Sequence, residues 1–213
     1  MSTLNKILKH FDIKYDDTTV MPIEIHNIGR DTFAPLLSEL GFKVGVELGV
    51  ASGKYLEVLC KSNPDMKFFG VDPWMPLNGY FDYVFKKTFK TLYDGAVETM
   101  KPYTNYEFIQ KISMDAINDF EDESIDFVYI DANHEYNFVM EDIIGWTKKV
   151  KKGGIICGHD YKRGSSHRHM RVVEAVNDYI KTTGLRPWFL IGGGAKDTEE
   201  IRDASRSWFW VKD

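Results

Sequence analysis

The chain is short of cysteine, of long apolar runs and of positive charge, and each shortage narrows what it can be. Its only cysteines are Cys60 and Cys157, far apart and in apolar surroundings. They read as buried thiols of a reducing compartment; a disulfide between them is not forbidden, but nothing requires one. No apolar run approaches the roughly 20 residues of a membrane span. The first residues mix Lys6, Lys9 and Asp12 with apolar side chains, so no signal-peptide core is expected. With 27 Lys and Arg against 32 Asp and Glu, the net charge is −5, and no global field draws in nucleic acid. Repeats and low-complexity linkers are absent. These shortages predict a cytoplasmic protein with neither a membrane nor a nucleic-acid partner. Core material, by contrast, is plentiful: 213 residues, 43% hydrophobic and 14% aromatic, suit one α/β domain with a substantial interior.

Residues 44–53 organise the chain. Val44, Val46, Leu48 and Val50 mark a buried strand. Gly49 and Gly53 follow, and residues 54–60 read as a helix stopped near Asn63-Pro64. A strand, a glycine turn and a helix leave backbone N–H groups open at the helix start, and glycine lets a ligand approach closely. A dinucleotide-binding turn reads G-x-G-x-x-G. This one reads E-x-G-x-x-x-G, with Glu47 inside the strand end. Such an acid suits a ligand carrying positive charge and hydroxyls better than a pyrophosphate. Two glycines in such a turn also serve purely steric ends.

Around this stretch the pattern alternates strand and helix. Leu4, Ile7, Leu8 and Phe11 predict an amphipathic first helix, broken by Asp16-Asp17 and Met21-Pro22. Asp31 is expected to cap a helix over residues 32–40 that ends at Gly41. A second strand ends in Asp72, roughly 20 residues beyond Gly53, the spacing that places an acid on a ribose diol. Trp74 either covers an adenine face or packs under the next helix. Residues 80–100 carry Phe81, Phe85, Phe89, Leu92, Ala96 and Met100 at helical spacing, a stripe that reads as core. Residues 107–112 are a third strand, followed by Ser113 and Asp115. Residues 124–130 are a fourth, opening into Asp131, His134 and a helix that Gly153-Gly154 is expected to stop. Residues 155–157 are a fifth, ending in His159, Asp160 and Tyr161. A polar, basic stretch over residues 162–171, a helix closed by Gly184, and strands over 188–191 and 207–211 complete the chain.

Glu47, Asp72, Asp115, Asp131, His134, His159 and Asp160 therefore all fall at or just after a strand's C-terminal end. In an open parallel sheet that places them along one edge, where ligands collect. Three segments carry a family resemblance: Val46-Glu47-Leu48-Gly49-Val50-Ala51-Ser52-Gly53, then Gly70-Val71-Asp72-Pro73-Trp74, then residues 130–136 together with Gly158-His159-Asp160-Tyr161. They resemble class I S-adenosylmethionine (SAM) dependent O-methyltransferases, and among these the small sugar and antibiotic O-methyltransferases of the methyltransferase-24 type. The resemblance covers roughly residues 30–213.

The resemblance implies a Rossmann-like α/β fold: a doubly wound, mostly parallel sheet with a C-terminal antiparallel hairpin. Residues 1–30 would be a helical extension and 31–213 the SAM-dependent domain. It implies SAM contacts from Glu47, Gly49, Ala51, Gly53, Asp72, Trp74, Asp115 and Asp131. It implies a divalent metal held by Asp131, His159 and Asp160; a histidine in that set departs from the oxygen ligands Mg²⁺ prefers and suits Mn²⁺, Fe²⁺ or Zn²⁺, unless His159 serves as a substrate hydrogen-bond donor. It implies His134 as the group that takes the acceptor's proton, with Asp131 beside it. The acceptor is expected to be a small hydroxylated molecule such as a sugar. Tyr161, Arg168 and Arg171, in and beside the basic stretch, point to an anionic one, and a homo-oligomer is left open. Two other readings stand beside this: an NAD-type oxidoreductase, disfavoured by the missing second glycine, and a metal-dependent hydrolase, which leaves Glu47 and Asp72 unexplained.

Overall fold

The fold is described from a computed structural model for residues 1–76, 86–162, 170–193, 203 and 205–213. Phe81, Phe85, Arg168 and most of the basic stretch over residues 162–171 lie outside the described residues. Eight strands form one sheet: β1 (Ile23–Glu24), β2 (Val44–Leu48), β3 (Lys67–Val71), β4 (Tyr106–Ile109), β5 (Ile125–Ile130), β6 (Val150–Gly158), β7 (Phe189–Ile191) and β8 (Ser207–Val211). Their order is β1-β7-β8-β6-β5-β2-β3-β4. β8 is antiparallel to both β6 and β7, and every other pairing is parallel. The reversed strand thus sits inside the sheet between two strands that share the common direction.

The helices are α1 (Thr3–His10), α2 (Arg30–Phe33), α3 (Leu36–Leu40), α4 (Lys54–Ser62), α5 (Lys86–Met100), α6 (Ser113–Ala116), α7 (Tyr136–Lys149) and α8 (Val172–Thr183). Strand alternation divides the interior in two. Phe68, Phe127, Tyr129, Ile155, Cys157, Phe189 and Phe209 face one layer with α1, α3 and α4. Val46, Leu48, Val128, Ile130, Ile156, Trp208 and Trp210 face the other, with α7 and α8. β5 is buried along both faces apart from Asp126, as a central parallel strand must be. Cys60 and Cys157 are free and buried. No described helix is long and apolar enough to cross a membrane.

Three local expectations are corrected. The helix expected over residues 32–40 is split at Pro35, which has no N–H to donate, into α2 and α3. Its cap is Gly29, not Asp31: the Thr32 hydroxyl accepts from the Gly29 N–H at 2.9 Å. Gly153-Gly154 do not stop α7. The chain is already extended at Val150, and both glycines lie within β6, where a Cβ on Gly154 would stand 2.7 Å from the Asp126 carbonyl oxygen. Residues 1–30 are more than a helical extension, because Ile23–Glu24 pairs with β7 and Ile7, Ile25 and Ile28 enter the core.

Candidate active site

At the C-terminal end of β2 the chain turns under tight constraint. Gly49 adopts φ 87°, and a Cβ there would lie 2.0 Å from the Asp131 carbonyl oxygen. Only glycine lets the ends of β2 and β5 come this close. Ala51, at φ 48°, donates its N–H to Asp72 Oδ2 at 2.9 Å. Trp74 donates its N–H to Asp72 Oδ1 at 2.8 Å and its indole N–H to the Ala51 carbonyl at 2.8 Å. The acid after β3 therefore latches the turn after β2. Burial raises the Asp72 carboxyl's pKa, and the N–H bonds from Ala51 and Trp74 oppose the rise. The Val50 N–H opposes it as well, and a carboxylate with about four acceptor positions still keeps capacity for a ligand.

The ends of β5 and β6 supply the second half. Asp131 follows β5, and the side-chain carbonyl of Asn133 accepts from the Glu135 N–H at 2.8 Å, a short turn that starts α7 and carries His134. His134 Nε2 lies 2.9 Å from Asp160 Oδ2 and 3.4 Å from Asp131 Oδ1. His159 Nδ1 lies 3.5 Å from Asp160 Oδ2 and 3.7 Å from Asp131 Oδ2. Burial works to raise the Asp160 carboxyl, but the bonds from His134 and His159 overcome it and hold it well below the usual carboxylate range. Asp160 is itself left-handed, at φ 55°, a conformation that costs energy in a non-glycine residue and gathers at functional sites. The Arg171 N–H donates to the His134 carbonyl at 2.7 Å, and the Trp208 indole N–H to the His159 carbonyl at 3.1 Å.

Between the two halves lies a cavity of about 320 Å³. Of the residues expected at the site, Gly49, Ala51, Asp72, Asp131, His134, His159 and Asp160 line it; Glu47, Gly53, Trp74, Asp115, Tyr161 and Arg171 do not. Each exception has a local cause. Gly53 caps α4, and a Cβ on it would come 3.3 Å from the Ala96 Cα, so it serves helix packing. Trp74 is turned into the core, edge-on to Tyr93 and Phe108. α6 begins at Ser113, so Ile112 and Ser113 meet the cavity in place of Asp115. Tyr161 is buried and donates to Asn177 at 2.9 Å. The Arg171 guanidinium lies over the Tyr136 ring. Glu47 is 2% exposed, one of its oxygens has no hydrogen-bond partner, and burial, with Asp131 nearby, pushes its carboxyl well above the ordinary range.

Two groups were missed. Arg30 lines the cavity, 3.7 Å from Asp131 Oδ2, its guanidinium over the Tyr55 ring at 5.0 Å. It comes from the first turn of α2, outside every strand-end motif, and no spacing signals it. Ser113, also on the wall, is hydrogen-bonded to the buried Asp142 of α7. Burial lifts that carboxyl to about 7 although the Ser113 bond opposes the rise. An aspartate on the inner face of a helix was the available signal.

Residues 46–161, which hold both halves of the site, match the model of a methyltransferase-domain family. The chain belongs to that methyltransferase family. It is similar to Uncharacterized protein R132 of Acanthamoeba polyphaga mimivirus, 30% identical over 118 residues, 55% of this chain and 51% of that protein. It thus spans about half the length of that relative. Among solved structures it is similar to cofactor-bound Rv0187 from MTB, with TM-score 0.61 and 14% identity over 99% of this chain and 90% of that one. It is similar to the O-methyltransferase TomG from Streptomyces achromogenes, solved with SAM (TM-score 0.58, 14% identity, 99% and 90% covered). The O-methyltransferase from Bacillus cereus in complex with SAH gives a TM-score of 0.58 at 15% identity, with the same shares covered. At such identities the likeness establishes the fold: the chain has the Rossmann-like, mostly parallel α/β architecture expected for it.

Proposed function

We propose that this methyltransferase transfers the methyl group of SAM to a hydroxyl of a small acceptor, a sugar or sugar derivative. The observation that carries the reading is the two-ended cavity. Asp72, Ala51 and Gly49 stand at one end, and a cluster of two histidines and two aspartates at the other. The acceptor capacity left on the latched Asp72 suits a ribose hydroxyl. A bound sulfonium supplies an electrophilic methyl group with a neutral leaving group. An acceptor hydroxyl is a poor nucleophile until it loses its proton. His134 Nε2 faces the carboxylates of Asp160 and Asp131, which fix it as the N–H nitrogen, orient the ring and stabilise the imidazolium that forms when Nδ1 takes that proton. The sugar preference rests on the family resemblance.

The same cluster fits a divalent cation. Asp131, His134 and Asp160 offer ligand atoms within 4.8 Å of one another, and His159 lies beside two of them. The mixed nitrogen and oxygen set suits Mn²⁺, Fe²⁺ or Zn²⁺ better than Mg²⁺. A cation held there would supply Lewis acidity that lowers the acceptor hydroxyl's pKa. A neutral imidazole has a single lone pair, which His134 cannot give both to a metal and to the proton, so with His134 as the base the expected set of Asp131, His159 and Asp160 is the one that holds the cation.

Calorimetry tests the donor half. S-adenosylhomocysteine (SAH) binds the wild type, NAD does not, and Asp72→Ala weakens SAH at least about tenfold, the loss of charge-assisted bonds to the ribose. Unchanged SAH affinity in a folded Asp72→Ala protein sinks the assignment.

A further inference from the structure

We infer that Arg30 binds the carboxylate of the donor's amino-acid end, making α2 the part of the chain that tells SAM and SAH from nucleosides lacking that end. The inference rests on the cofactor reading above. Arg30 is the only lysine or arginine among the described residues lining the cavity. Its guanidinium donates a hydrogen bond to the Tyr129 hydroxyl but is not used up. Asp31 at 3.8 Å and Asp131 at 3.7 Å are both beyond the 2.7–2.9 Å typical of charge-assisted hydrogen bonds. A guanidinium has five N–H donors in a planar fork matched to a carboxylate.

Its position follows from the strand order. Asp72 ends β3, Gly49 ends β2 and Asp131 ends β5, in that order across the sheet. A donor with its ribose on Asp72 and its arm laid over Gly49 reaches Asp131 and Arg30 after two strand spacings, roughly 10 Å, a span the aliphatic arm and the long arginine side chain cover together. Charge narrows the ligand further. A simple anion beside Arg30 would also meet Asp131, which repels it. A zwitterion satisfies both, carboxylate to Arg30 and ammonium to Asp131.

The fork is also preorganised. The Arg30 N–H donates to Asp203 Oδ2 at 2.9 Å, the Tyr55 hydroxyl donates to the Arg30 carbonyl at 3.3 Å, and the Tyr55 ring lies under the guanidinium. Little freedom is lost when a carboxylate arrives.

The test compares ligands as well as variants. Wild type, Arg30→Ala and Arg30→Lys are titrated by calorimetry with SAH and with 5′-methylthioadenosine, which keeps the nucleoside and thioether and lacks the amino-acid end. Arg30→Ala should weaken SAH at least about tenfold and 5′-methylthioadenosine less than about twofold, with Arg30→Lys between wild type and alanine for SAH alone. Equal losses for both ligands, or none for SAH, overturn the assignment and leave Arg30 a structural anchor for Tyr55. If the variants do not fold, the wild type decides: decarboxylated SAH should bind at least about tenfold more weakly than SAH, and equal affinity overturns the proposal. A wild type that binds no SAH sinks the cofactor reading itself, whereas one that binds SAH without this discrimination sinks only the role of Arg30.

Discussion

Gly41 and Gly49 have almost the same backbone, φ 85° and 87°, in very different surroundings, and alanine at each separates two costs. A Cβ on Gly41 meets nothing within 4 Å, while one on Gly49 lies 2.0 Å from the Asp131 carbonyl oxygen and 2.6 Å from its carbon. Gly41→Ala therefore carries the left-handed backbone cost alone, about 1–2 kcal/mol. Gly49→Ala carries that cost plus an overlap that no side-chain rotation relieves, because the obstacle is backbone. The Asp131 N–H is bonded to the Leu48 carbonyl at 2.9 Å, and the Gly49 N–H to Val71 at 2.9 Å. Relief parts β2 from β5 and loses the Asp131–Leu48 bond, at about 1 kcal/mol net, with about 1–3 kcal/mol for the forced packing shift. The sum is about 3–6 kcal/mol, a large part of the 5–15 kcal/mol that holds a typical domain together. Urea unfolding followed by circular dichroism measures both variants. Gly49→Ala should lose at least about twice what Gly41→Ala loses, and where it still folds it should bind SAH more weakly, since Asp131 has moved. Equal losses from the two alanines would refute the reasoning, showing that the close approach of β2 and β5 is not what demands glycine.

The other predictions concern single side chains. Asp142 keeps its proton up to about pH 7 when folded and loses it near 3.8 when unfolded, so its contribution is complete below the lower value and disappears as pH rises through the upper one. Asp142→Asn should therefore gain on the wild type between those pH values, by at most about 4 kcal/mol; a stability gap in urea that does not widen as pH rises contradicts this. His134→Ala should lower kcat by about 10²–10⁴ and leave SAH affinity nearly unchanged, and wild-type turnover on the natural acceptor would remove His134 as the base. Chelator should abolish turnover if a cation completes the cluster and leave it untouched if His134 works alone, and readdition of Mn²⁺ to the chelated enzyme separates metal loss from damage.

The parts legible from the sequence share one property: local pattern and strand direction together determine them. Once Val44 to Leu48, the run ending at Val71 and the run ending at Ile130 are read as parallel strands, Gly49, Asp72 and Asp131 must meet at one edge. His159 and Asp160 follow from β6 in the same way. The missed parts depend on pairings between distant segments. β1 has two residues and no alternation to read, so nothing announced that it joins β7 or that the chain after it brings Arg30 to the cavity. The insertion of β8 between β6 and β7 is likewise a choice among partners. Asp115 failed on a finer scale: α6 starts two residues before it, and its first residue meets the cavity. Trp74 left two outcomes open in the sequence, and the hydrogen bond from its indole to Ala51 selected the inward one.

The indole contacts of Trp74 and Trp208 give the protein a pair of optical reporters. Of its five tryptophans, Trp74 alone belongs to the core layer packed against α4, while Trp146, Trp188, Trp208 and Trp210 belong to the other. Trp74 hangs from the Ala51 carbonyl at the Asp72 end of the cavity; Trp208, stacked on Trp210, hangs from the His159 carbonyl at the other end. Each emission depends on the polarity and hydrogen bonding of one backbone carbonyl, and those two carbonyls belong to opposite halves of the cavity. Filling the halves one at a time thus perturbs different fluorophores on opposite faces of the sheet. With Trp74 replaced by Phe, the remaining signal comes from the four tryptophans of the other layer, Trp208 among them, so a change at the His159 end is read without the reporter at the Asp72 end.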